Sequence, residues 1–263
     1  MAAYFLYLFK QKETLQNRAF GLVCAGTALH FTGTAFSTFA MGALPAHNLQ
    51  QTLLTAALAL SSVFIILKQK FNLKILGLFA TPLIVLMMSW AMVLPDTAPA
   101  GDPFLRGTTF LKGFWLTSHI VLIFAGEAAL ALACGAGILY LIQEKAIKEK
   151  KRGFFYKRLP SLDLLDSTSY ISVITGFTML TMGLITGLIY AKTVWGSFWQ
   201  WDPKEIWSAV TWLIYAALLH GRLTSGWRGK KSAMMTILGF AVLIFTFFGV
   251  NMLIGGHHQT FTK

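Results

Sequence analysis

The stretch WGSFWQWDPKEIW, residues 195–207, holds four of the chain's eight tryptophans, Trp195, Trp199, Trp201 and Trp207. On a continuous helix, the spacings of four and eight between Trp195, Trp199 and Trp207 would align those rings on one face. An aromatic belt at a membrane interface accounts for one or two such residues. A cluster this tight points instead to a bed for a flat apolar ligand. The segment that follows, Asp202-Pro203-Lys204-Glu205, reads as a helix start. Asp202 is a good cap, Pro203 suits the first helical position, and Glu205 stands where a capping box needs its carboxylate. Helix initiation needs no catalytic role, and ligand binding by Asp202 is compatible with it. The other groups able to do chemistry are six histidines, His30, His47, His119, His220, His257 and His258. Which of them can meet the tryptophans depends on the elements that carry them.

Those elements belong to a membrane protein. The chain is 56% hydrophobic and only 12% charged, against about 25% charged in soluble domains. Apolar runs near the length that crosses a bilayer, about 20 residues, occur at about 19–43, 50–67, 73–94, 113–142, 168–191, 204–221 and 232–254. Each is expected to be helical, because lipid offers no partner to an open backbone. The expected fold is therefore all-α, a polytopic integral membrane protein of about seven transmembrane helices forming a single domain over 1–263. A first apolar run, YFLYLF, is too short to span and is placed in the interface. It is also too short for the apolar core of a cleaved signal peptide.

Seven spans put the N-terminus and the connections 67–74, 143–167 and 222–231 on one side. That side carries 17 of the 22 basic residues, among them the cluster Lys145 to Arg158. The positive-inside rule makes it cytoplasmic and leaves the C-terminus outside. The net charge of +12 is thus a topology signal rather than a nucleic-acid footprint, and the cluster also suits anionic lipid headgroups of the bilayer. Cys24 and Cys134 stand alone in different spans, without metal or disulfide spacing, and each reads as a small buried residue.

With this orientation the tryptophan stretch lies outside, between the fifth and sixth spans. His119 lies near the outer end of the fourth span, and His257 and His258 directly follow the seventh. Imidazoles approaching an aromatic bed from two helices are what a six-coordinate haem iron requires. His220 lies 18 residues beyond Asp202, about 27 Å along a helix, so it is either an interfacial histidine or part of a second, deeper site. His30 lies deep in the first span, where ionisable groups are costly and usually functional; a neutral imidazole bonded to a neighbouring helix is the alternative. Glu127, two turns from His119, orients it, meets substrate, or pairs with another helix. His47, beside Pro45 in an outer turn, reads as a surface residue.

The segment WGSFWQWDPKEIWSAVTWLIYAALLHGR resembles the tryptophan-rich "WWD" region of the CcsA (ResC) cytochrome c assembly family. WLTSHIVLIFAGEAAL resembles the family's outer histidine segment, and VNMLIGGHHQTF resembles the one after the motif, in a register that selects His258. GALPAHNLQQTL resembles a weaker family feature, with Gln where an acidic residue is common. The resemblance covers most of the chain. It implies a role in system II cytochrome c maturation: with a CcsB-type partner, haem b is carried outward and presented to apocytochrome CxxCH motifs, whose thiols add to its vinyl groups. Thiol-reducing proteins are implied as further partners. By position, His119 and His258 match the outer axial ligands of the iron. The 195–207 stretch, with Trp195, Trp199, Trp201, Asp202 and Trp207, matches the haem platform, and His220 matches a transmembrane histidine whose usual partner belongs to CcsB. His30 and His220 lie at depths differing by roughly 13 Å on helix rise. Arg106, Lys112, Lys192 and Lys204, on the sparsely charged outer face, are candidates for the propionates. The implied enzyme is a holocytochrome c synthase of which this chain is a subunit, in a bacterial inner or plasma membrane, or a thylakoid membrane in a plastid. The alternative is a HemX-like haem-binding regulator of tetrapyrrole synthesis, which would yield no covalent cytochrome.

Overall fold

The computed structural model describes residues 1–71, 76–95, 110–150, 153 and 157–254. Among them the chain is helical, without strands. In order come α1 (Ala2–Lys10), α2 (Glu13–Met41), α3 (Leu49–Phe71), α4 (Gly77–Val93), α5 (Phe110–Lys148), α6 (Leu162–Trp195), α7 (Pro203–Thr224) and α8 (Lys230–Ile244), which continues as a π-helix over Phe245–Ile254. Each of the seven expected spans coincides with one of these helices. By length and composition α2, α3, α5, α6 and α8 with its continuation to Val250 can cross a membrane, α4 is apolar but shorter, and α7 is not among the five. The chain is accordingly a polytopic helical membrane protein.

α5 is the spine. From Ala128 to Ala136 almost every residue is buried, and most are alanine or leucine, as expected of a helix enclosed on all sides. One side of α5 meets α1, α3 and α4 around Phe64, Leu67, Leu76 and Leu132. The other side meets α6, α7 and α8 around Leu130, Val173, Tyr215 and Leu243. Small residues let these backbones approach closely, as membrane helices require in the absence of a hydrophobic drive. A Cβ on Gly126 would lie 2.8 Å from the Leu180 nitrogen, and one on Gly137 would lie 3.3 Å from the Ala233 carbonyl oxygen.

Several expected boundaries move. α5 runs past residue 142 because Glu144 and Lys148 form an i,i+4 pair at 2.9 Å, and such residues are good helix formers in water. The run YFLYLF is a docked helix whose Tyr4 is fully buried edge-on to Phe64. α2 packs on the bundle through Gln16 and Ala19 near its start, while much of its remaining surface faces outward. Cys134 is buried, whereas Cys24 is only half-buried. His47 is not a surface residue: it is half-buried. The turn holds it because Asn48 Oδ1 accepts the Gln51 N–H at 2.8 Å and Thr55 Oγ1 donates to the Pro45 carbonyl at 2.7 Å.

Candidate functional site

The tryptophan stretch is a loop between two helices rather than one helix, so the expected alignment of Trp195, Trp199 and Trp207 on a common helical face does not occur. Trp195 ends α6, because Gly196 takes a left-handed conformation (φ 77°) and returns its N–H to the Lys192 carbonyl. Trp207 lies in α7, which cannot start before Pro203. Between them Ser197 Oγ donates to the Trp199 carbonyl at 2.8 Å, and Trp199 meets Trp201 edge-on at 6.0 Å. Beneath the end of α6, the buried Tyr190 packs edge-on against Trp195 at 6.3 Å.

The α7 start has the expected capping box. Asp202 Oδ1 accepts the Lys204 N–H at 2.9 Å, and Glu205 Oε2 accepts the Asp202 N–H at 3.2 Å. Glu205 Oε2 also accepts the Gln200 N–H at 2.9 Å, so one carboxylate ties the loop to the helix. Asp202 is buried in this arrangement. Trp201, immediately before it, has φ 61° and is 76% exposed. A bulky residue in the left-handed region is costly and tends to mark sites that the surrounding structure forces. Here the bonds on both flanking residues hold it there, with the indole outward.

His119 projects from α5 toward α6. Its Nδ1–H donates to the Gly183 carbonyl at 2.7 Å. A Cβ on Gly187 would lie 2.6 Å from Nδ1, so only glycine leaves room for the ring. A carbonyl only accepts, so this bond puts a proton on Nδ1 and leaves the lone pair on Nε2 in the neutral ring. That is how a metal-ligating imidazole is commonly prepared.

Trp207 packs against Phe245 at 4.6 Å, the first residue of the π-helix. Its carbonyl accepts Thr211 Oγ1 at 2.9 Å and Thr246 Oγ1 at 3.4 Å, and the two hydroxyls lie 3.2 Å apart. The π-helix was not legible in the apolar run 232–254. Thr246 Oγ1 competes for the Val242 carbonyl at 2.9 Å, and three phenylalanines within four positions meet three different helices. Phe245 packs on Trp207, Phe247 on Phe124 and Phe248 on Trp90. Wide turns of this kind often occur at functional sites.

His257 and His258 lie outside the described residues, as does Arg106. The structure therefore brings His119, Trp195, Trp199, Trp201, Asp202 and Trp207 to the end of the bundle that carries the α6–α7 loop. His220 is exposed near the opposite end of α7, and its carbonyl accepts Thr224 Oγ1 at 2.8 Å. His30 is half-buried and has no hydrogen bond among the described residues. Of the cations expected to meet the propionates, the Lys112 side chain lies outside the described residues, while Lys192 donates to the Gly196 carbonyl at 2.7 Å and lies over Phe198. Lys204 is half-buried and feels Glu127, Asp202 and His119 electrostatically. Sequence reasoning missed the seat of His119 on Gly183 and Gly187; the small-residue spacing in GLITG was its only local signal.

The profile of the family described as "Cytochrome C assembly protein" matches residues 46–258. The chain is 33% identical over 236 residues to the cytochrome c biogenesis protein CcsA of Guillardia theta, covering 83% of this chain and 77% of the relative. It is 34% identical over 246 residues to CcsA of Prochlorococcus marinus (83% and 76%). It is 32% identical over 247 residues to CcsA of Chlorella vulgaris (83% and 78%). The profile match spans both histidine-bearing segments and the tryptophan loop, and the chain belongs to the CcsA family of cytochrome c biogenesis proteins.

Proposed function

We propose that this chain holds haem b at its outer end and presents it for covalent attachment to apocytochrome c, as the membrane subunit of a system II holocytochrome c synthase. The observation that carries this reading is the seat of His119: one ring nitrogen is committed to Gly183, the other is left for iron, and the ring stands at the tryptophan-loop end of the bundle. The donor set suits haem, since neutral imidazole is a standard axial ligand and the neighbouring loop offers flat aromatic area. His258 is the second axial ligand in this reading, and Trp195, Trp199, Trp201 and Trp207 support the porphyrin with Asp202 holding their loop in place. His220 serves a second haem site nearer the cytoplasm, completed by a CcsB-type partner.

The charge distribution supports a topology of seven spans with the N-terminus in the cytoplasm and the C-terminus outside. The membrane is a bacterial inner or plasma membrane, or a thylakoid. The chain's own part in the chemistry is placement. Each thiol of a CxxCH motif adds its sulfur and its hydrogen across one vinyl double bond, so no external oxidant is consumed. The incoming cytochrome's histidine then displaces one axial imidazole and takes the product away. Thiol-reducing proteins keep the cysteines competent.

The test is co-expression with a CcsB-type partner and an apocytochrome in a strain lacking its own maturation system. Covalent cytochrome c is expected with the native chain and is lost with His258→Ala. Haem bound by the native chain with no covalent product would favour a regulator of tetrapyrrole synthesis instead.

A further inference from the structure

Lys204 is an unusual lysine. Near the end of a membrane helix a lysine normally extends its stem along apolar surface and its ammonium into water. Lys204 is half-buried instead. It shares one face of α7 with Trp207 and Thr211, at i, i+3 and i+7. Those two residues touch Phe245 and Thr246 of the π-helix. Phe124 of α5 meets the same π-helix at Phe247, 6.3 Å between rings. The face of α7 that carries Lys204 is therefore turned toward the space shared with the π-helix and α5, the helix that bears His119 and Glu127.

Two carboxylates answer it, Asp202, which already caps α7, and Glu127. Glu127 is half-buried, and neither its carboxylate nor the Lys204 ammonium has a hydrogen bond or a close ion pair among the described residues, although the two interact electrostatically. The cation and the anion thus share an interior region without satisfying each other. Charges withdrawn from water are normally paired and hydrogen-bonded, so a pair left unfilled by the described residues has room for a third group. Of the two candidate cations whose side chains are described, Lys192 is already engaged by Gly196, which leaves Lys204 to take an acid.

We propose that Lys204 receives a carboxylate of the incoming ligand, namely a haem propionate, and that Glu127 is its counter-charge while the site is empty. This rests on the haem-presenting role above and deepens it. The lysine acts as a point charge, fixing the rotation of the porphyrin about the iron axis and so deciding which edge faces outward. Glu127 competes with the propionate, and its charge sets how readily the acid group is released with the product.

The experiment titrates the purified apo-chain with iron protoporphyrin IX and with its dimethyl ester, reading the Soret band. The native chain is expected to prefer the free acid by about tenfold or more, the usual weight of a hydrogen bond to a charged group. Lys204→Met should bring the free acid down to the affinity of the ester, with the axial-ligand spectrum unchanged, and Lys204→Arg should restore part of the preference. Glu127→Gln should tighten the free acid and leave the ester alone. Equal affinity of the native chain for acid and ester, or a preference that survives in Lys204→Met, overturns the proposal while the haem-presenting role stands. Failure of the native chain to bind either porphyrin overturns both.

Discussion

The two ends of the α6–α7 pair use their polar groups in opposite ways. At the end remote from the tryptophans, Arg222 binds Asp166 through both nitrogens, at 3.0 and 2.6 Å, donates to Ser232 and lies over Tyr170. Asp166 also accepts the Gly229 N–H at 2.9 Å. The two charges there answer each other, and three helices are locked together. At the tryptophan end, among the described residues, His119 keeps one nitrogen open, Lys204 and Glu127 lack close partners, and Trp201 is held in a left-handed conformation. One end therefore stabilises the bundle, while the other carries groups that the described residues leave unsatisfied. Functional sites commonly show this local inconsistency.

The comparison can be broken most forcefully at His119. His119→Ala should abolish an axial-imidazole haem spectrum and cytochrome c assembly, with little change in the thermal stability of the apo-chain; added imidazole should recover part of the spectrum. Normal haem content in that variant would remove the functional half of the contrast. Arg222→Ala should do the reverse. It leaves Asp166 part-buried and unpaired, at a cost of about 3 kcal/mol, seen as a lower unfolding midpoint, while folded molecules keep the spectrum of the outer site. Gly187→Ala sharpens the picture by pressing on the His119 ring from behind. About 1–3 kcal/mol of overpacking is expected, and ring displacement should weaken haem binding where a purely structural glycine would alter stability alone. The smallest effect has the opposite sign. Trp201→Gly should raise apo-chain stability by about 1 kcal/mol through relief of the left-handed backbone, yet reduce haem retention. A loss of stability would show that the indole is there for packing.

Much of this architecture could be read from local pattern. The capping box at Asp202 appears as expected because a cap depends on residues within three positions of each other. All seven apolar runs coincide with helices, five of which are long and apolar enough to cross a membrane. The helix stripe of tryptophans failed for a reason also present locally, since Gly196 and Pro203 interrupt any helix across 195–207. His47 was misjudged because its burial depends on Asn48 and Thr55 folding the turn back on itself. The π-helix escaped notice because its cause is three ring contacts with three different helices, which no apolar run encodes.

Membrane class, helicity, the start of α7 and the family resemblance were properties of the sequence by itself, since each follows from composition or from neighbours a few positions apart. Only the tertiary structure decided which nitrogen of His119 is left open, because its partner Gly183 lies 64 positions away. The same holds for the division between a satisfied and an unsatisfied end. Arg222 and Asp166 stand 56 positions apart, and whether a charge meets its opposite or waits beside it depends on how the helices pack, which pairwise distance along the chain does not record.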